Sequence, residues 1–483
     1  MRHRQLLTFL VAVVLGVALT GCEDFLSIDP EQSIESDQAF ANQSRAESAL
    51  VGMYSGLQGP GAYGGFFVPM SDFTAQNANF GGSFTTWQQA RDFNVLATHG
   101  PSQDMWEDFY DTINRANNII AQTPNIEGAE QAFVTRAVNE ARFVRALSYF
   151  NLVRLYARPY NVVNTGNVPP TNPQNQAGVP VVTDPTADAG EELQVPRASV
   201  ADVYNQIVSD LQAARNNLSA ASSGGQITAT ADAATALLAK VRLYQGQYAT
   251  ARDLAEQVIT GGPFSLASAG TIAEQQGQSS ESIFSVDFSE IDNTGVNNHP
   301  SSFYTPSPLG GRGDITVVPG LIETIQSAPG GANDQRGPGG IMYQFGGNTW
   351  TEKWDSPNQA DDAMVLRLSE MYLIAAETHV RTRGSGGSQD QARDYVNAVR
   401  EKNGAGPIPT AGQDAASGQE LIDDIIRERR IELAFEGDRR HDIVRLGRTL
   451  ESNTSTASLT QRIFPIPARE IDENSELSQN PGY

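Results

Sequence analysis

The chain has 483 residues, one cysteine and an acidic balance of 33 Lys and Arg against 56 Asp and Glu, a net charge of −23. A field of that sign repels nucleic acid and anionic lipid headgroups, which excludes both as partners held by charge. A single cysteine excludes a disulfide framework, so the fold rests on a core that a chain of this length is able to bury.

Arg2 and Arg4 precede an apolar run from Leu6 to Leu19, followed by Thr20-Gly21-Cys22. A positive start, a short apolar stretch and small residues before the cut make a secretory signal over residues 1–21. The run is shorter than the roughly 20 apolar residues of a membrane-spanning helix. Leu19-Thr20-Gly21-Cys22 resembles the lipobox of bacterial lipoproteins, in which the cysteine is acylated and becomes the N-terminus. Cys22 is thus the expected lipid anchor to the membrane, several acyl chains on one residue holding far better than one. Cleavage removes Arg2 and Arg4 and leaves 31 basic against 56 acidic residues, a net −25.

Residues 22–40 read as a tether into a first helix near Asn42 to Leu57. Residues 59–103 are rich in Gly, Asn, Phe and Ser with little helical period, which predicts a long functional loop or a small irregular lobe. Trp106 opens a helix with Phe109, Tyr110 and Ile113 at core spacing. In 131–157, Phe143, Leu147 and Phe150 continue an apolar stripe, with Ala137 and Ala141 allowing close helix packing. A Pro- and Asn-rich excursion covers 158–199, and Ser199 or Asp202 caps a helix to about Leu218.

Ala236 to Tyr244 and Tyr248 to Ala255 describe two antiparallel helices around Gly246, close to the tetratricopeptide pattern. A looser copy runs from Leu368 through a Gly-rich turn at 384–387 to Val399. Between them, 261–364 is Gly-, Ser-, Pro- and aromatic-rich, with short strands predicted at Ser282–Phe288 and Met342–Phe345. Near the end, Arg429 shares a helical stripe with Ile422, Ile426 and Leu433. A guanidinium there must be paired, and Glu432, Glu436 or Asp442 are the available acids. The cluster reads as an internal ion network, since no proton shuttle accompanies it.

Other motifs carry less. Gly59-Pro60-Gly61-Ala62-Tyr63-Gly64 fits G-x-G-x-x-G but follows a helix, so it lacks the strand context of a dinucleotide site. Arg312-Gly313-Asp314 matches the integrin tripeptide by coincidence. His99, His299, His379 and His441 are scattered, and no metal, nucleophile or phosphate-loop signature occurs. Adjacent acids such as Asp361-Asp362 or Asp423-Asp424 do not face each other across a glycosidic bond. No catalytic residue, metal ligand or cofactor is therefore assigned.

Glu428-Arg429-Arg430-Ile431-Glu432-Leu433-Ala434-Phe435-Glu436-Gly437, followed by Arg439 and Asp442, resembles the signature of the SusD/RagB family of outer-membrane nutrient-binding lipoproteins. Phe464-Pro465-Ile466-Pro467 and Gln479-Asn480-Pro481-Gly482-Tyr483 do so too. Upstream, Asn117-Asn118-Ile119-Ile120, Glu140 to Leu147, Arg367-Leu368-Ser369-Glu370 and Ala375-Ala376-Glu377 match in the same order. The resemblance implies a mainly α domain over 41–483, with a tetratricopeptide-like helix-pair scaffold on one side and a loop-rich, irregular ligand-binding face on the other. It implies a location at the cell outer membrane, facing outward, with a SusC-like TonB-dependent barrel as partner. The implied ligand is a glycan or, in some members, a peptide.

A sugar's C–H face stacks on flat aromatics while its hydroxyls seek amides and charges. The first insert offers Phe80 and Trp87 with Asp72 and Arg91; the second offers Tyr304 and Trp350. By motif order the resemblance points to Trp87 with Arg91 and to Tyr304 with Trp350, while packing remains open for Trp87. The alternatives to a non-enzymatic binder are a surface glycoside hydrolase and a purely structural repeat lipoprotein.

Overall fold

The computed structural model describes residues 36–162, 170–186, 194–223, 225–409 and 418–483. The signal, Cys22 and the tether to residue 35 lie outside the described residues, as do 163–169 and 187–193 of the loop expected over 158–199.

Helix α1 (Gln43–Gly56) starts where the Asn42 side chain accepts a hydrogen bond from the Arg45 N–H at 3.1 Å. Helices α2 (Gly100–Gln122), α3 (Gln131–Tyr156) and α4 (Val200–Asn217) follow. Ser199 is the cap of α4: its hydroxyl accepts from the Asp202 N–H at 3.1 Å and donates to the Asp202 carboxylate at 2.7 Å. The first predicted pair is α5 (Ala231–Tyr244) and α6 (Tyr248–Gly261). The second is α7 (Leu368–Arg381) and α8 (Gln389–Glu401), with α9 (Gln419–Glu432) behind it. From α2 to α6 each helix packs on the next, and α7 then joins α6 to α8 and α9.

Alanines let these pairs approach closely. Ala236, Ala239, Ala251, Ala255, Ala375 and Ala376 have no accessible surface. The α5–α6 turn depends on Gly246, which has φ +73°; a Cβ there would lie 2.1 Å from the Asn161 amide. One apolar cluster runs from Ala46 to Leu477, and a second fills the space among α7, α8 and α9.

The inserts hold more order than their composition suggests. Short helices occupy Phe67–Phe73 and Thr85–Arg91. Strand β1 (Ala78–Phe80) pairs antiparallel with β3 (Ile315–Val317), β2 (Ser282–Val286) with β6 (Ala363–Arg367), and β4 (Met342–Phe345) with β5 (Asn348–Thr351). β2 and β4 fall where the sequence predicts them. The others, three to five residues long, are too brief for alternation to show.

Behind this surface lies a buried charge network. Glu432 accepts from Arg367 at 2.6 Å, Arg336 at 2.8 Å and Lys402 at 2.9 Å. Arg336 and Arg400 also clamp Glu428, each at 2.5 Å. Arg429 pairs with Asp442 at 2.9 Å and with Glu370 at 3.1 Å, and Lys240 joins Glu370 to Asp438. Of the acids the sequence offers Arg429, Asp442 is the partner, while Glu432 and Glu436 are held by other cations; Glu370 comes from α7, 59 residues away.

Removing one member of such a network leaves carboxylates buried without their counter-charge. Arg429→Ala is expected to cost about 3–5 kcal/mol and lower the melting temperature sharply, measured by calorimetry. An unchanged melting temperature would contradict the pairing. Burial alone would raise the Glu377 carboxyl, but Arg445 and Arg381 overcome it and hold it at about 2. A depressed acid stabilises the fold above its unfolded pKa and loses that contribution as pH falls. Stability should therefore decline as pH drops from about 4.5 toward 2, more steeply than in an Arg445→Gln variant.

Candidate functional site

The two aromatic-rich inserts meet. The β1–β3 pair joins them by register, Ala78 opposite Val317 and Phe80 opposite Ile315. Trp87, on the short helix Thr85–Arg91, stacks on Phe303 with ring centres 4.1 Å apart and planes 25° apart. Phe66, Phe73, Phe80 and Phe84 surround the same indole at 5.1 to 6.3 Å.

Four of the residues that the sequence points to for ligand contact are buried here. Phe80 and Asp72 have no accessible surface, Tyr304 is 1% exposed and Trp87 5%. The Trp87 indole, with Phe66, Phe73, Phe80, Phe84 and Phe303 around it, packs as core. Asp72 is a tie between distant segments: it accepts from the Asn77 amide at 3.1 Å, the Phe435 N–H at 3.1 Å and the Tyr304 hydroxyl at 3.2 Å. Phe435 itself has φ +69°, a conformation that branched or bulky residues rarely adopt, and its carbonyl accepts from the Trp354 indole at 2.7 Å. Both of its peptide neighbours are thus pinned by the two inserts. Trp106 is 2% exposed, as its core spacing predicts, with its indole N–H on Glu470 at 3.1 Å.

Trp350 pairs with Tyr343 across the β4–β5 hairpin and donates to the Phe345 carbonyl at 3.0 Å. It is 5% exposed and forms floor, with the half-buried Tyr343 and the exposed Phe345 beside it. Gly313, at φ +71°, lies against this indole; a Cβ there would stand 3.3 Å from the ring. Arg91 keeps part of its side chain in solvent, donating to the Phe80 carbonyl at 2.9 Å and pairing with Asp92 at 2.8 Å.

What faces solvent over the nest is a polar and aromatic platform. The Arg312 guanidinium lies 4.3 Å from the centre of the half-buried Phe84 ring and 5.6 Å from Phe303. It pairs with Asp314 at 2.8 Å and donates to the Asn297 amide oxygen at 2.9 Å. The Asp314 carbonyl in turn accepts from the Gly81 N–H at 2.8 Å, so one tripeptide spans both inserts. Arg312, Asp314, Asn297 and Phe84 are the residues that sequence reasoning missed. Their one mark in the sequence is an arginine between glycines in the second insert. Guanidinium, amide and carboxylate groups beside the half-buried Phe84 ring suit a ligand with alternating apolar and hydroxyl faces.

A SusD-family sequence profile matches residues 319–483, and a second SusD-like profile, described as starch-binding and associating with the outer membrane, matches residues 24–243. The chain belongs to the SusD family. Over 99% of its length it is 26% identical to SusD-like protein P38 of Formosa agariphila, spanning 98% of that protein. A stretch of 135 residues, 25% of this chain and 22% of the other, is 33% identical to the starch-binding protein SusD of Bacteroides thetaiotaomicron. Among solved structures, a SusD superfamily protein of the same organism superposes with TM-score 0.75 at 26% identity, covering 91% of this chain and 100% of its own. A laminarin-binding SusD-like protein shares the fold, with TM-score 0.70 at 24% identity over 92% of this chain and 100% of its own.

Two outcomes follow from the packing in this SusD-family protein. Trp87→Ala should cost about 3–5 kcal/mol by emptying the aromatic nest, while the folded fraction keeps its ligand affinity; melting curves beside titrations read both. Burial raises the Asp72 carboxyl to about 7, against its hydrogen bonds. A raised acid retains its proton in the folded state between about pH 4 and 7, so stability falls as pH rises there, by at most about 1.4 kcal/mol per unit. Asp72→Asn keeps the acceptor for Phe435 and should flatten that slope. Parallel wild-type and variant curves would contradict the raised carboxyl.

Proposed function

We propose that this chain is a surface lipoprotein, anchored through Cys22, that binds nutrient oligosaccharides without cleaving them and delivers them to a SusC-like TonB-dependent transporter in the outer membrane. The observation that carries the binding half is the Arg312–Phe84 platform, built where the two inserts meet and backed by a rigid aromatic nest. Family membership supports the same reading, since the profile over residues 24–243 is described as starch-binding. So does the likeness of one segment to a starch-binding protein. Among the described residues no helix is long and apolar enough to cross a membrane, which fits an anchor supplied by lipid. Arg91 and the β4–β5 hairpin over Trp350 would flank the ligand, and Asp314 and Asn297 would take its hydroxyls.

The platform is tested by titrating wild type, Phe84→Ala and Arg312→Ala with α-glucan and β-glucan oligosaccharides. Each variant should lose about tenfold in affinity, about 1.4 kcal/mol, with little change in melting temperature for Arg312→Ala and a lower one for Phe84→Ala, whose ring packs on Trp87 and Phe303. Wild-type affinity in both would place the ligand elsewhere, and release of reducing ends during the titration would favour the hydrolase reading. The anchor is tested separately: Cys22→Ala should fold but incorporate no labelled fatty acid and leave the membrane fraction.

A further inference from the structure

A second pocket lies away from the platform, where the C-terminal segment crosses the end of α3. Its volume is about 180 Å³, and its lining includes Arg158, Arg462, Val444, Leu459, Ile463 and Pro481. That is room for one ring or one short acyl chain. The walls are mostly apolar, with Arg158 and Arg462 among the residues that form them.

The charge of these groups is unmatched. Arg462 is 8% exposed, and its Nε is enclosed with no hydrogen-bond partner among the described residues. Neither Arg158 nor Arg462 has an ion pair among the described residues, whereas the buried Arg336, Arg367, Arg429 and Arg445 each have two or three. Directly behind, Arg440 is also without an acid: it donates to the Arg462 carbonyl at 3.0 Å and to the Thr74 hydroxyl at 3.1 Å, under the Phe464 ring. In a chain of net charge −23, these three arginines lie together with no ion pair to a carboxylate among the described residues. A buried, unpaired polar group costs free energy and calls for a partner. Burial, and then the charge of Arg158, press the Arg462 guanidinium below its ordinary range. An anion arriving between them would relieve both effects.

From this geometry we infer that the pocket binds a compact organic monocarboxylate, its carboxylate held by Arg158 and Arg462 and its body packed on Val444, Leu459 and Ile463. Guanidinium is the group best matched to a carboxylate, in bidentate and charge-assisted hydrogen bonds. The aliphatic walls select against inorganic anions, which offer them nothing to bury. Two sources share this chemistry: the uronic acid unit of an acidic glycan, and a medium-chain fatty acid. The pocket is independent of the Arg312–Phe84 platform, so either site can fail its test without the other.

The test is calorimetric titration of the detergent-solubilised full-length protein with D-galacturonate and octanoate, beside their neutral counterparts D-galactose and 1-octanol, and with sodium sulfate. One carboxylate should bind at least tenfold tighter than its neutral counterpart and than sulfate, and which one identifies the source. Its affinity should fall as salt rises, and should drop about tenfold or more in Arg462→Gln and in Arg158→Gln. The second variant is exposed and should fold even if the first does not. Phe84→Ala should leave this binding unchanged. Equal binding of acid and neutral counterpart, no binding of either acid at millimolar concentration, or wild-type affinity in a folded Arg158→Gln overturns the inference.

Discussion

Helix α9 is held by charge, and the rest of the molecule is arranged around that fact. Its Glu432 gathers Arg336, Arg367 and Lys402, three cations separated by up to 66 positions in sequence, and takes the Asn403 amide at 3.0 Å as well. Burial opposes an ionised carboxyl there, but the surrounding cations hold it well below the usual range. Such a cluster adds little net stability over an apolar core, because desolvation offsets attraction; what it supplies is a single permitted arrangement. All three lysines of the chain, Lys240, Lys353 and Lys402, are spent in it. The surface is therefore acidic and arginine-bearing, without lysine.

That arrangement fixes the inserts. β6 ends at Arg367 in the network and carries β2 with it, while Lys353, after β5, caps the Glu432 and Ala434 carbonyls at 2.9 and 3.0 Å. Asp72 reaches the same turn from the first insert through Phe435. Two loop-rich segments, more than 150 residues apart, are thus secured to one rigid point, and their meeting line becomes a stable face. A binding surface on loops needs such backing, since ordering mobile side chains on binding would consume affinity.

The helical half was legible because it is periodic. The stripe through Phe143, Leu147 and Phe150 and the alanine seams of the two pairs were enough to place α3, α5, α6, α7 and α8 within a few residues. The presence of a buried ion network was legible too, since Arg429 sits among Ile422, Ile426 and Leu433. Its partners were not: Glu370 and Glu377 come from a distant helix, and nothing local in sequence marks which acid reaches which base. The inserts defeated pattern reading for a related reason. Their strands are short, and whether an aromatic such as Trp87 faces a ligand or a neighbouring ring is decided by Phe303, more than 200 positions later. Large aromatics in loops read as ligand contacts, yet the most deeply placed of them form the core of the lobe, leaving Phe84 and Phe345 nearer the surface.

If ligand is held where the two inserts meet, a bound oligosaccharide slows hydrogen–deuterium exchange at about residues 81–86, 297–314 and 342–350 and leaves α2 to α6 unchanged. Protection confined to the helical scaffold, with those three segments unaffected, would contradict that placement.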